Sequence, residues 1–459
     1  MSLDPEPEEM RRLGHRAVDL AVSHLSALHG LRVAAPPDGA EFQRRVAEEL
    51  PRTGRGIEDS MERYFRDLLP KATLVNHPRF FAYIPGPGSF AGALGEWLAA
   101  ATNAFVGTWL GGAVMAQLEL QTLAWLREAV GLSEDMSGIL TTGGSMANLG
   151  ALVAGLEGRD RTRAVLYASA ESHYSLSKAG AILGIPRERR RLVATTNDLR
   201  LDAGELRRLV AEDRARGLEP AVIAATAGTT NSGAVDPMPE IADLCAAEGI
   251  WMHVDAAYGG AMGLWPEGRR LLRGWERADS VAFDPHKWFY SPFECGCLLV
   301  RDVKRLEAAF AGDADYMQDV PRDEANFFLR GPELTRGNRA LKLWLLLRGV
   351  GIDRIADQIR KDLDLCRLAF DLLREDGRVE MLTPPQMSIF TFALRAGDEA
   401  GRRFVGDVLE DGFLMLSSTR IRGRFAVRFC VCNHRTTERD VREAVSRMRT
   451  LLPGKPPDD

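Results

Sequence analysis

Five short apolar runs recur through the middle of the chain, at residues 164–167, 192–194, 221–226, 251–255 and 280–283. Stretches with helical periodicity, such as 201–215 and 239–247, separate most of them. Each run is too short for a stable helix and is apolar throughout rather than alternating. That pattern marks a strand covered on both faces. Strands of this kind joined by helices predict an α/β fold with a parallel central sheet flanked by helices. In such sheets, sites gather outside the carboxyl ends of the strands. The polar residues that follow each run are therefore the ones to weigh.

The flanking regions read differently. The first 70 residues carry three amphipathic stripes: Met10, Leu13, Ala17, Leu20 and Leu28, then Phe42, Val46 and Leu50, then Ile57, Met61, Phe65 and Leu68. These apolar faces need a covering surface, from the rest of the chain or from a second subunit. A long helical stretch, roughly 336–370 with a break near 349–351, follows the strand region. The last 80 residues combine alternating segments (390–394 and 424–432) with a closing helix over 437–452, which predicts a small α+β domain.

Several classes are disfavoured. The net charge is 59 − 64 = −5, so no global basic field points to nucleic acid. The Arg187–Arg191 cluster reads as a solvated face. Apolar stretches fall well short of the roughly 20 residues that span a bilayer. The acidic N-terminus lacks the segments of a signal peptide, so the expectation is a cytoplasmic protein with no membrane partner. The six cysteines include two C-x-C pairs, Cys295/Cys297 and Cys430/Cys432. Their spacing is tighter than that of zinc pairs, and they read as buried thiols with no metal.

Five polar clusters follow predicted strands or open a helix. Lys287 lies in Phe283-Asp284-Pro285-His286-Lys287-Trp288, and Asp255 closes the run 251–255. Gly143-Gly144-Ser145 opens an apolar helix. His173 follows the run 164–167, and Thr226 begins a polar turn that reaches Gly233. Singly, each has a plain reading: a surface lysine, a capping carboxylate, an ordinary helix start, a structural histidine, a polar loop. Together they offer the set that pyridoxal 5′-phosphate requires. A lysine holds the aldehyde as a Schiff base. A carboxylate keeps the pyridine nitrogen protonated. A helix N-terminus receives the phosphate, and an imidazole stacks on the ring.

With these motifs on the page, the chain resembles the group II pyridoxal-phosphate-dependent amino-acid decarboxylases, aromatic-L-amino-acid decarboxylases and their bacterial relatives among them. The likeness begins at His77-Pro78-Arg79-Phe80-Phe81-Ala82-Tyr83 and runs through His253-Val254-Asp255-Ala256-Ala257-Tyr258 and Pro285-His286-Lys287-Trp288 to the segment 428–437. It implies a type I aminotransferase-like fold and decarboxylation of an L-amino acid, an aromatic one favoured. The rival readings are an aminotransferase or an amine-forming oxidative variant on the same cofactor and, in another class, a noncatalytic dimeric scaffold. By this resemblance Lys287 carries the cofactor, Asp255 meets the pyridine nitrogen, Ala257 lies against the ring and His173 stacks on its other face. Gly144, Ser145 and Asp284 surround the phosphate with His286 nearby, and Thr226 sits near the ring substituents. Tyr316, in Asp313-Ala314-Asp315-Tyr316-Met317-Gln318, occupies the place of a proton-donating loop tyrosine. Tyr83, Ile84, Phe105 and Gly107 match substrate-binding positions, Gly107 where a large aromatic is common. Asp284 stands where the family often has Asn, which sets a carboxylate beside a phosphate. The resemblance also implies a homodimer with its site at the subunit interface. The chain divides into a helical dimerisation segment (1–84), a large cofactor-binding domain (85–375) and a small α+β domain (376–459).

Overall fold

The computed structural model describes residues 3–454 except 313, 314, 316, 317 and 322. Seven strands make the main sheet: β1 Ser137–Thr141, β2 Ala164–Ser169, β3 Arg190–Val193, β4 Glu219–Thr226, β5 Trp251–Asp255, β6 Ser280–Phe283 and β7 Gly296–Val300. Their spatial order is β1-β7-β6-β5-β4-β2-β3. The pairs β3–β2, β2–β4, β4–β5 and β5–β6 are parallel, as the apolar runs predict. Central β5 and β6 are buried along their whole length. Helices such as Ala203–Ala215 and Met238–Glu248 supply the crossovers.

Two strands, β1 and β7, fall outside the five apolar runs. β7 pairs antiparallel with both β6 and β1. After β6 the chain does not cross over through a helix; it turns within residues 284–295 and returns beside the strand it has just left. This reversal places Lys287 in a hairpin-like connection. The edge strand β3 also differs from its predicted extent. It starts at Arg190, and Leu192 is exposed, because an edge strand has only one covered side.

The second sheet is antiparallel, with β8 Val379–Gln386, β9 Ile389–Leu394, β10 Ser417–Ile421 and β11 Arg424–Cys430 in the order β10-β11-β9-β8. Its core joins Phe390, Phe392, Phe404 and Phe429 to the far half of helix Ile352–Arg374. Phe81 enters the same core and stacks on Phe429 at 4.3 Å. A segment from before the main sheet is thus tied into the C-terminal unit. The break in the long helical stretch falls at Gly351, whose φ of 87° suits glycine and separates helix Ala340–Val350 from Ile352–Arg374.

The N-terminal stripes fold as helices Pro7–Ala27, Gly39–Val46 and Ile57–Arg63. The second stops short of Leu50, since Pro51 bars helix in the residues just ahead of it. No residue of Pro7–Ala27 is buried. Among the described residues no helix is long and apolar enough to cross a membrane. All six cysteines are buried free thiols.

Candidate active site

The strand ends deliver the predicted groups to one place. Thr226 and Asp255 are cross-strand neighbours at the ends of β4 and β5. On the other side Asp255 pairs with Ala282 of β6. The turn after β6 is then pinned: Asp284 N–H donates to the Ala257 carbonyl (3.1 Å), and Lys287 N–H to the Asp284 carbonyl (2.9 Å). Beneath this turn the fully buried Trp288 stacks on Tyr258 (4.9 Å) and donates its indole N–H to Asp362 (2.9 Å). With its neighbour anchored, the Lys287 side chain is held towards the cleft, where Nζ lies 3.0 Å from Asp284 Oδ2. Burial pushes the ammonium pKa down, but Asp284 and Asp255 together outweigh it and hold it above the ordinary lysine value.

Asp255 is held at both oxygens. Oδ1 accepts from Ala257 N–H (3.0 Å), and Oδ2 accepts from the Asn148 amide (2.9 Å). His173 precedes helix Tyr174–Ile182 and accepts the Ser175 backbone N–H at Nδ1. Burial lowers its pKa; Asp255 and Asp284 raise it and Lys287 lowers it, which places these four side chains within electrostatic reach of one another. The imidazole is therefore neutral near pH 7.

The position expected for the phosphate is where helix Gly144–Gly155 begins. No side chain caps this helix, which leaves its first turn open to an anion. A Cβ on Gly144 would stand 2.8 Å from Asp284 Oδ2 and 3.2 Å from the Ala257 Cβ. Glycine keeps that space clear. Ser145 is exposed in the same first turn. His286 closes one side: its Nδ1 accepts from Cys295 N–H (3.1 Å), and burial depresses its pKa. Asp284 does face this position, but Lys287 Nζ at 3.0 Å and His286 Nε2 at 3.7 Å sit on its Oδ2. The lysine thus pairs with the Asp284 carboxylate.

The residues fit pyridoxal phosphate. Besides the amine, the carboxylate and the open helix start, two buried oxygens, Thr226 Oγ1 and Asp284 Oδ1, have no protein partner. Buried polar atoms left this way await a group that the protein alone does not provide. Such a site, on a mostly parallel sheet with a small antiparallel C-terminal sheet, defines a pyridoxal-phosphate enzyme.

The comparisons narrow the class. Residues 40–395 match the pyridoxal-dependent decarboxylase conserved domain, and the chain belongs to that family. It is 34% identical to the aromatic-L-amino-acid decarboxylase of Bacillus atrophaeus, over 98% of this chain and 97% of that protein. It superposes on the crystal structure of Oryza sativa TDC with PLP and tryptamine with a TM-score of 0.94, at 28% identity, covering 98% of this chain and 99% of the other. Catharanthus roseus tryptophan decarboxylase in complex with L-tryptophan gives a TM-score of 0.92, also at 28% identity, with the same coverage of each chain. The protein is a decarboxylase with pyridoxal phosphate as cofactor, and these relatives do not favour the aminotransferase, oxidative or scaffold readings.

The expected substrate positions lie on connecting segments outside the two sheets. Tyr83 is exposed with a left-handed φ of 51°, its N–H donated to Ser417 Oγ (3.1 Å). Ile84 packs against the main core. Phe105 covers Gly107 and Gly111, where a Cβ would stand 2.5 Å from its ring. A Cβ on Gly107 would also lie 2.0 Å from the Leu334 carbonyl oxygen, so close backbone approach already accounts for glycine there. Tyr316 lies outside the described residues. Sequence reading gave no role to Asn148, Ser175, His253 or Ser280. Each stood in or beside a segment already singled out, Asn148 three residues after Ser145 and His253 two before Asp255, but nothing local showed that they meet.

Proposed function

We propose that this chain converts an aromatic L-amino acid into its amine and CO2, with Lys287, Asp255 and His173 as the working residues. The observation that carries the assignment is the convergence of Lys287 Nζ, Asp255 and the open start of helix Gly144–Gly155 around one cleft. The aromatic substrate follows from the relatives named for aromatic amino acids and tryptophan and from the apolar rim residues Ile84 and Phe105. When bound, pyridoxal phosphate supplies the electron sink for the pair left behind as CO2 departs. Lys287 would hold the cofactor through its Nζ. Asp255, fixed by Ala257 and Asn148, would keep a proton on its ring nitrogen, and neutral His173 would lie against its ring. Gly144, Ser145, Asp284 and His286 would hold its phosphate, and Thr226 Oγ1 would face a ring substituent. Tyr316 delivers the proton to the α-carbon, and Tyr83, Ile84, Phe105 and Gly107 border the substrate.

The active unit in this reading is a homodimer with the site at its interface. A 21-residue amphipathic helix with no buried residue supports it. So do the exposed Trp97 (57%), Leu110 (65%) and Val114 (77%), more apolar surface than a monomer leaves to water. Residues 1–84, 85–375 and 376–459 act as dimerisation, cofactor-binding and C-terminal units. The six free thiols suit the reducing cytoplasm.

The test is Lys287→Ala with wild type as reference. Wild-type protein plus pyridoxal phosphate shows the visible band of a lysine-bound cofactor and releases amine and CO2 from tryptophan, tyrosine or phenylalanine. The variant loses the band, and turnover falls to background. Near-wild-type amine release from the variant overturns the assignment; keto acid or aldehyde in place of amine overturns the reaction.

A further inference from the structure

Asn148 is buried to within 1% of full enclosure and forms the centre of a hydrogen-bond chain whose direction its two ends dictate. At one end the Trp251 indole, a donor only, gives its N–H to Ser280 Oγ (2.9 Å). The Ser280 oxygen lies 3.0 Å from His253 Nδ1, and His253 Nε2 lies 3.0 Å from Asn148 Oδ1. At the other end Asn148 Nδ2 reaches Asp255 Oδ2 and Ser175 Oγ, each at 2.9 Å. The Asp255 carboxylate is an acceptor, so the amide must present its NH2 there and its oxygen to His253. His253 therefore donates from Nε2 and accepts at Nδ1 from the Ser280 hydroxyl. Burial pushes its pKa to about 4, so the ring is neutral, as this arrangement requires. Every proton from Trp251 to Asp255 then has one place.

The second branch works the same way. Ser175 Oγ accepts from Asn148 and lies 2.8 Å from His173 Nδ1, with its own proton free to point there. The Ser175 backbone N–H points to the same nitrogen at 3.3 Å. His173 Nδ1 is thus an acceptor, and the imidazole carries its proton on Nε2.

We propose that Asn148 is a positioning residue: one side-chain amide orients the carboxylate that meets the cofactor's ring nitrogen and, through Ser175, sets the tautomer of the imidazole over the ring. This rests on the cofactor assignment made above for Asp255 and His173. Asn148 itself touches neither cofactor nor substrate and acts through these two.

The full-length protein, stripped of cofactor, is titrated with pyridoxal phosphate and with its carbocyclic analogue, in which C–H replaces the ring nitrogen. Asn148→Ala weakens binding of pyridoxal phosphate by at least about threefold more than binding of the analogue, because only the former has the ring nitrogen that the Asp255 carboxylate must be oriented to meet. A general loss of structure penalises both ligands equally, and equal losses, or no loss with either, overturn the proposal. If Asn148→Ala does not fold, nitrogen-15 NMR of wild-type histidine side chains still decides: His173 shows an unprotonated Nδ1, and a proton there overturns the proposal. The Lys287→Ala band keeps the two readings apart. If wild type forms the band and Asn148→Ala shows equal penalties, only the role of Asn148 falls; if wild type forms no band, the cofactor assignment falls and takes this proposal with it.

Discussion

At the floor of the site, Asp255, Thr226 and Lys287 stand on or just after neighbouring strands; Asp255 and Lys287 find partners inside the same chain, while Thr226 Oγ1 has none. At the rim, Tyr83 is exposed in a left-handed backbone, Phe105 lies over glycines, and Tyr316 falls outside the described residues. The floor is positioned by a sheet that would form whatever the substrate. The residues proposed for the rim, Tyr83 and Phe105 among them, lie on connecting segments outside the two sheets. In the proposed function general chemistry falls to the rigid part, and choice of substrate to the part most easily varied.

The contrast breaks most readily at Asp255. If the floor carries the chemistry, Asp255→Ala lowers kcat by about a hundredfold to a thousandfold, the usual loss for a preorganised electrostatic partner. KM for an aromatic amino acid changes little. A loss confined to KM would move Asp255 from the chemistry to substrate binding and erase the distinction between the two regions.

Tyr316→Phe probes the rim's one proposed chemical role. Losing a positioned acid costs on the order of a hundredfold in amine formation, with cofactor binding and its visible band retained and side products of oxidation or transamination appearing. Normal amine yield would remove Tyr316 from the reaction and leave the chemistry wholly to the floor.

The two regions also differ in how much the sequence discloses, and the reason is physical. Asp255 and Lys287 could be found because each follows a short apolar run, and position after a buried strand is a local property. The parallel part of the sheet was legible for the same reason. β7 was not, because antiparallel return depends on what residues 284–295 do rather than on the composition of Gly296–Val300. Asn148, Ser175, His253 and Ser280 come from four separate elements, and only tertiary packing brings their polar atoms within 3.0 Å. The Phe42, Val46 and Leu50 stripe overran its helix because Pro51 outweighed periodicity. At Gly107 the sequence offers a vacated aromatic position, and the Leu334 carbonyl adds a second, tertiary reason for glycine there.

Support beneath the floor has its own signature in pH. Asp362 accepts from Trp288 (2.9 Å) and Tyr290 (2.7 Å), and burial pushes its pKa to about 7. Its folded-state pKa is raised above the unfolded value, so its stabilising contribution is complete below about pH 4. It declines as pH rises towards 7 and is constant above that. Asp362→Asn keeps an acceptor for both donors but cannot titrate. The melting temperature of wild type relative to this variant should therefore fall by several degrees between pH 4 and 7 and level off beyond. A flat difference would mean that Asp362 does not titrate in that window, and that the turn carrying Lys287 rests on a carboxylate already ionised.

The smallest effect separates packing from pocket at the rim. A Cβ at position 107 would stand 2.0 Å from the Leu334 carbonyl oxygen and 2.5 Å from the Phe105 ring, so backbone has to move to admit it. Overpacking of this kind costs about 1–3 kcal/mol. Gly107→Ala should thus lower the melting temperature by a few degrees and, since Gly107 borders the substrate in the proposed site, change the ranking of tryptophan, tyrosine and phenylalanine, with the bulkiest side chain losing most. If Gly107 answers only to its backbone neighbours, the melting temperature falls and the ranking holds. Substrate ranking and thermal melting, measured on one variant, therefore decide whether this glycine answers to its own backbone neighbours alone or to the ligand as well.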